Sequence, residues 1–153
     1  MQKDTVIREI LQARDSVVDR YGPLFQPGAI ENIDEEVLRS FLLIENNKHW
    51  SGLSRQNNRI CADMAVTRAA LGELVDESRP IDERTQAVTE IKGFGKGIIT
   101  AILTVAYPDK FGVWNNTSEG GLIDLDLLPE WPRGASFGER YAAINEVLND
   151  LAR

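Results

Sequence analysis

Two glycines separated by a single residue, with a lysine on either side, are the first residues in this chain arranged for chemistry: Lys92-Gly93-Phe94-Gly95-Lys96-Gly97. Glycines at 93 and 95 let a chain turn tightly between helices, where a positive φ or close backbone approach excludes a Cβ. Phe94 between them is expected to plug the core. The helix that follows opens with amides that have no intrahelical partner, and such amides suit a phosphate oxygen. Lys92 and Lys96 add positive charge. Residues 92–97 are therefore a candidate grip for a nucleic-acid backbone. A glycine turn used only for packing is the alternative, but Ile91 before the turn and helical patterns on both sides argue against it.

A second group lies upstream. No acidic residue occurs between Glu45 and Asp63, whereas Lys48, Arg55 and Arg59 do. Asn46, Asn47, Gln56, Asn57 and Asn58 lie among them, with Trp50 beside His49. Lysine and arginine neutralise phosphates, amides read base edges, and an aromatic ring stacks on an unpaired base or wedges between base steps. Lys48, His49, Trp50, Arg55 and Arg59 thus form a second candidate patch. The bland alternative is a solvated loop with Trp50 folded into the core.

Those residues must be positioned by helices. Val6, Ile7, Ile10, Leu11, Val17, Val18 and Tyr21 recur at helical spacing until Gly22-Pro23 stops the run. Asp34 can cap a second helix carrying Val37, Leu38, Phe41 and Leu42, and Asp63 a third carrying Met64, Leu71, Leu74 and Val75. Asp82 is read as opening a fourth, with Ala87, Val88 and Ile91 facing inward. A fifth runs over about 96–107 to Pro108, and Ser136 with Glu139 fits a capping box for a last one bearing Tyr141, Ile144, Val147, Leu148 and Leu151. Residues 22–33 and 46–58 do not read as helix. The second is a long polar segment of the kind that is often functional. No strand alternation extends beyond Phe111-Gly112-Val113-Trp114. The expected fold is all-α: one compact domain, 1–153, of about six to eight helices, with a helix-hairpin-helix at 83–107.

Composition narrows the function. At 153 residues, 42 % hydrophobic and 27 % charged, the chain is long enough to bury a core without disulfides or metals. The single cysteine, Cys61, excludes a disulfide framework and a Cys-based zinc site, and His49 is the only histidine. Glu119, Asp124, Asp126 and Glu130 read as helix and exposed turn, so no metal is expected. The longest apolar run, 97–107, is too short to span a bilayer, and no signal-peptide pattern opens the chain. A cytoplasmic location and no membrane partner follow. A net charge of −7 opposes nucleic-acid binding, but the local distribution counts for more than the sum.

Ile91-Lys92-Gly93-Phe94-Gly95-Lys96-Gly97 resembles the hairpin of the helix-hairpin-helix DNA glycosylase superfamily, over roughly residues 83–122. The resemblance implies an all-α fold, a hairpin holding the DNA backbone, and a monovalent cation at that hairpin. It also implies a catalytic aspartate about twenty residues beyond Gly95, which here is Asn115. Bifunctional members keep a lysine nucleophile where this chain has Gly97, and the family's small residue four after Gly95 is Ile99. An amide at 115 cannot act as a general base, although it can hydrogen-bond or cap a helix. The expectation is DNA binding without ordinary base excision and without further cofactors. One rival is an enzyme acting on modified or damaged bases through a rearranged site, with Lys48 as nucleophile or His49 as acid–base facing Asn115. Another is a module that binds a protein partner. Residues 46–56 and 107–122 also resemble a group of bacterial proteins with no established activity, which implies no chemistry.

Overall fold

Residues 2–153 are described by a computed structural model. The chain is all-α, with nine α-helices and no strand among the described residues, and two of the nine are single turns. Helix α1, Gln2–Tyr21, ends where Gly22-Pro23 opens a 3-10 turn, Gly22–Phe25. Proline supplies no amide to continue the ladder. A second 3-10 turn, Ile30–Asn32, completes the connection over 22–33. Helix α2, Glu35–Phe41, is capped by Asp34, whose carboxylate accepts from the Glu36 amide. Helix α5, Met64–Val75, is capped by Asp63 through the Ala65 and Val66 amides.

Between them the polar stretch 46–58 departs from the expected open loop. It coils into α3 (Ile44–Asn47), a 3-10 helix (Ser51–Gln56) and α4 (Asn57–Ile60). Buried Asn47 organises the coil. Its Oδ1 accepts from the Trp50 amide at 2.8 Å and the His49 amide at 3.2 Å, and its Nδ2 donates to the Phe41 carbonyl at 2.9 Å. Local polar side chains offering alternatives to the helix ladder favour such turns.

Helix α6 spans Ile81–Thr89, and Pro80, not Asp82, is its N-cap residue. Asp82 lies in the first turn, where its charge suits the helix dipole. Val88 is buried and Ile91 half-buried against the core, but Ala87 faces solvent, because the inward face carries Arg84 and Thr85 instead. Helix α7, Lys96–Ala106, is the centre of the molecule. Ile98, Ile99, Thr100, Ala101, Ile102, Leu103, Val105 and Ala106 are all buried, as expected of a helix surrounded on every side. Helices α1, α5 and α6 pack against it. Residues 111–114 form neither helix nor strand, and are held to α7 by Thr100, whose Oγ1 accepts from the Trp114 amide at 2.9 Å. Helix α8 is Asn116–Asp124. Helix α9, Phe137–Ala152, opens with the reciprocal Ser136–Glu139 capping box. It lies along α6 so closely that a Cβ on Gly138 would fall on the Asp82 carbonyl.

Candidate functional site

The turn between α6 and α7 occupies residues 90–95 and is closed by two backbone hydrogen bonds, the Ile91 amide donating to the Val88 carbonyl and the Phe94 amide to the Ile91 carbonyl, each 3.1 Å. Its two glycines serve different purposes. Gly93 has φ +94°, and a Cβ there would stand 2.7 Å from Ile60 Cγ1 and 3.2 Å from Arg59 Cβ. Backbone conformation and contact with α4 both demand glycine. Gly95 is extended, at φ −95° and ψ −178°, and a Cβ on it would meet no atom within 4 Å. The expectation that a tight turn requires glycine at 95 is therefore corrected. What Gly95 provides is open space over the start of α7. Gly97 is equally uncrowded. The amides of residues 96–98 precede the first intrahelical bond, Ile99 to the Gly95 carbonyl, and no side chain caps them. Phe94, 3 % exposed, fills the core beneath.

The two lysines also divide. Lys92 is exposed and has no carboxylate within ion-pair distance among the described residues. Lys96 turns away: its ammonium lies 3.0 Å from Glu119 and 5.3 Å from the centre of the Trp114 ring. Glu119 accepts from Trp114 Nε1 at 2.5 Å as well. The Lys96 hydrogen bond, then the Trp114 hydrogen bond, hold its carboxyl below the usual carboxylate range. Lys96 is thus a tie between α7 and α8 and not a free cation of the turn.

A cleft of about 810 Å3 brings three distant segments together. One wall is the turn, residues 89–95 with Gly97 and Ile98. Another is residues 49–53 with Gln56 and Arg59, and the third is 115–117. His49, Trp50, Arg59, Lys92 and Asn115 therefore share one cavity. Gly93 is the reason, because without a Cβ the turn can lie directly on Arg59 and Ile60 of α4. Lys48 and Arg55 are exposed but do not line the cleft. Of the three residues considered for catalysis, His49 and Asn115 both line the cleft and Lys48 does not.

Trp50 is half-buried against the core, edge-on to Phe41 at 6.3 Å, and it also lines the cleft. It is a core anchor and a cleft wall at once. His49 crosses it at 5.5 Å, and partial burial lowers the histidine pKa, which favours a neutral ring near pH 7. Asn115 is the N-cap of α8. Its Oδ1 accepts from the Ser118 amide at 2.9 Å, and Ser118 Oγ accepts from the Asn115 amide at 3.0 Å.

Most of the amides proposed as base readers are spoken for. Asn47 is buried, and Asn46 joins the Ser40 carbonyl to Arg20. Asn57 and Asn58 accept from Arg39. Only Gln56 of the five lines the cleft. Sequence reasoning missed Glu90, the one carboxylate on the lining, although its place two residues before Lys92 in the turn was a usable signal. Glu119 was read only as part of an acidic stretch, because no local pattern links it to Lys96. No group of three or more His, Cys, Asp or Glu side chains placed to share a metal ion occurs among the described residues. Compared with known protein families, characterised proteins and solved structures, the chain matches none.

Proposed function

We propose that this protein binds nucleic acid, DNA foremost, across the mouth of the cleft between the 90–97 turn and the 49–59 coil. The observation that carries the reading is the shared cleft: Arg59 and Lys92, neither held by a carboxylate, flank uncapped amides at the start of α7 and the ring of Trp50. Cations and helix-start amides take phosphate oxygens, and an aromatic wall offers a surface for a base. The glycosylase-like hairpin supports the same role for the turn, here without ordinary base excision.

The test is salt-dependent binding to duplex and single-stranded oligonucleotides by fluorescence anisotropy. Counterion release makes affinity fall steeply with salt. Replacing Arg59 and Lys92 together by alanine is expected to weaken binding and reduce the salt slope by about two, one unit per lost phosphate contact. Gly95→Val, whose side chain projects into open space, should abolish binding while the helices remain. Wild-type affinity in a folded Gly95→Val protein would show that the turn is not the grip.

A second reading, an enzyme acting on modified bases, draws on His49, Glu90 and Asn115 lining the same cavity. A neutral imidazole and a carboxylate are suitable proton-transfer groups. Abasic-site formation by the wild-type protein that Glu90→Gln removes would favour it.

A further inference from the structure

Glu90 is out of place on a surface that holds a polyanion. It is the one carboxylate on the cleft lining, two residues before Lys92, yet it pairs with no cation among the described residues. A carboxylate repels phosphate, so a cleft that gathered only phosphodiester would bind better without it. Gln56 is also unengaged. It is half-buried on another wall of the cleft, and its side chain makes no hydrogen bond to another described residue. Two polar groups thus face the cleft with their hydrogen-bonding capacity unspent.

The rest of the lining suits a flat, largely apolar body. Leu53, Phe94 and Ile98 are buried beneath the cleft, and the half-buried Trp50 ring forms part of its wall. At about 810 Å3 the cleft is within the size range of sites that enclose a small ligand. A base set free of pairing stacks its face on an aromatic ring and offers its edge to polar groups.

Resting on the nucleic-acid reading above, we infer that the cleft takes one unpaired base and that Glu90 selects guanine. An ionised carboxylate has two acceptor oxygens and no donor. Guanine alone among the common bases sets two N–H donors side by side on its Watson–Crick edge, N1–H and the 2-amino group, and a carboxylate accepts both at once. In adenine and cytosine the amino group adjoins a ring-nitrogen lone pair. In thymine and uracil the single N–H stands between two carbonyl oxygens. Those lone pairs are turned against a carboxylate. Gln56 donates from its amide to guanine O6 or N7, both acceptors. Arg59 and Lys92 hold the flanking phosphates at the mouth. Pairing with cytosine occupies the two donors that Glu90 needs, so the preference belongs to single strands and unpaired positions.

Fluorescence anisotropy on the intact protein tests this with single-stranded oligothymidine, alone and with one central guanine, inosine or adenine. The guanine strand should bind about tenfold more tightly than oligothymidine. Inosine, which lacks the 2-amino group, should lose most of that gain. Adenine, which stacks as a purine but turns a lone pair toward Glu90, should gain much less than guanine. Glu90→Gln, at an exposed position and checked by circular dichroism, should bring the guanine and adenine strands to similar affinity. The same variant should bind oligothymidine as well as wild type or better, because a repelling charge is gone. If the substitution instead strengthens every strand by the same factor, Glu90 is a repelling charge only and the inference falls. Equal affinity of the wild-type protein for guanine and adenine strands overturns it too. In both cases nucleic-acid binding stands, whereas a wild-type protein that binds none of the strands removes that reading and this one with it.

Discussion

Asn115 and Glu119 carry the two consequences that belong to single residues. On the glycosylase-like reading proposed for the hairpin, Asn115 would fall where that family keeps a carboxylate; its amide oxygen is already engaged as the cap of α8. A neutral, occupied amide cannot supply the charge that stabilises a developing cation, an electrostatic contribution on the order of several kcal/mol in a dry site. Incubation with duplexes containing uracil, oxidised or alkylated bases is expected to yield no abasic sites, and borohydride no trapped adduct, since Gly97 offers no amine. Strand breakage at such bases after alkali would contradict this. Glu119 ties Lys96 and Trp114 together. Its pKa is depressed in the fold, so its stabilising contribution is complete above the ordinary carboxylate pKa and disappears as pH falls through the lower, folded value. Glu119→Gln should cost about 1 kcal/mol near neutrality, roughly 2–4 °C in Tm for a chain of this size. The gap from wild type should close in acid. A Tm difference independent of pH would assign the cost to packing and not to charge.

Among the elements, the α6–α9 contact is the most exacting. Gly138 sits where a side chain would strike the Asp82 backbone, which cannot rotate aside as a flexible side chain can. Gly138→Ala is therefore expected to destabilise by about 1–3 kcal/mol as α9 is pushed from α6. Gly120 in α8 has no atom within 4 Å of its would-be Cβ. There the same substitution should stabilise by about 0.5–1 kcal/mol, because alanine loses less backbone freedom on entering a helix. Urea unfolding of both variants measures the contrast, and equal effects would mean that the helix contact is looser than its geometry implies.

For the whole molecule, charge placement matters more than its total. A chain of net charge −7 repels a polyanion on average. Yet Arg59 and Lys92 meet at one cleft with a single carboxylate, Glu90, on its lining, while Lys48 and Arg55 stand exposed nearby in sequence. Elsewhere Arg14, Arg39, Arg79, Lys110 and Arg153 are paired with neighbouring acids. The charge gathered around the cleft is consequently more positive than the overall sum suggests.

The all-α class, the caps at Asp34, Asp63 and Ser136–Glu139, and the turn between α6 and α7 were legible in the residue order alone. Helical periodicity and capping are short-range codes, complete within about four residues. What lies beyond that range was decided by tertiary contact. Lys96 and Gly93 look like one motif in sequence, yet Lys96 is bound to Glu119 and Gly93 is fixed by Ile60. Asn47 reads as a polar loop residue until burial shows it holding the coil that presents Trp50. The stripe on α1 announced a helix correctly, but periodicity records only that a face is apolar. Whether the fold covers that face is settled by where the other helices end, and around Val6–Leu11 they leave it bare.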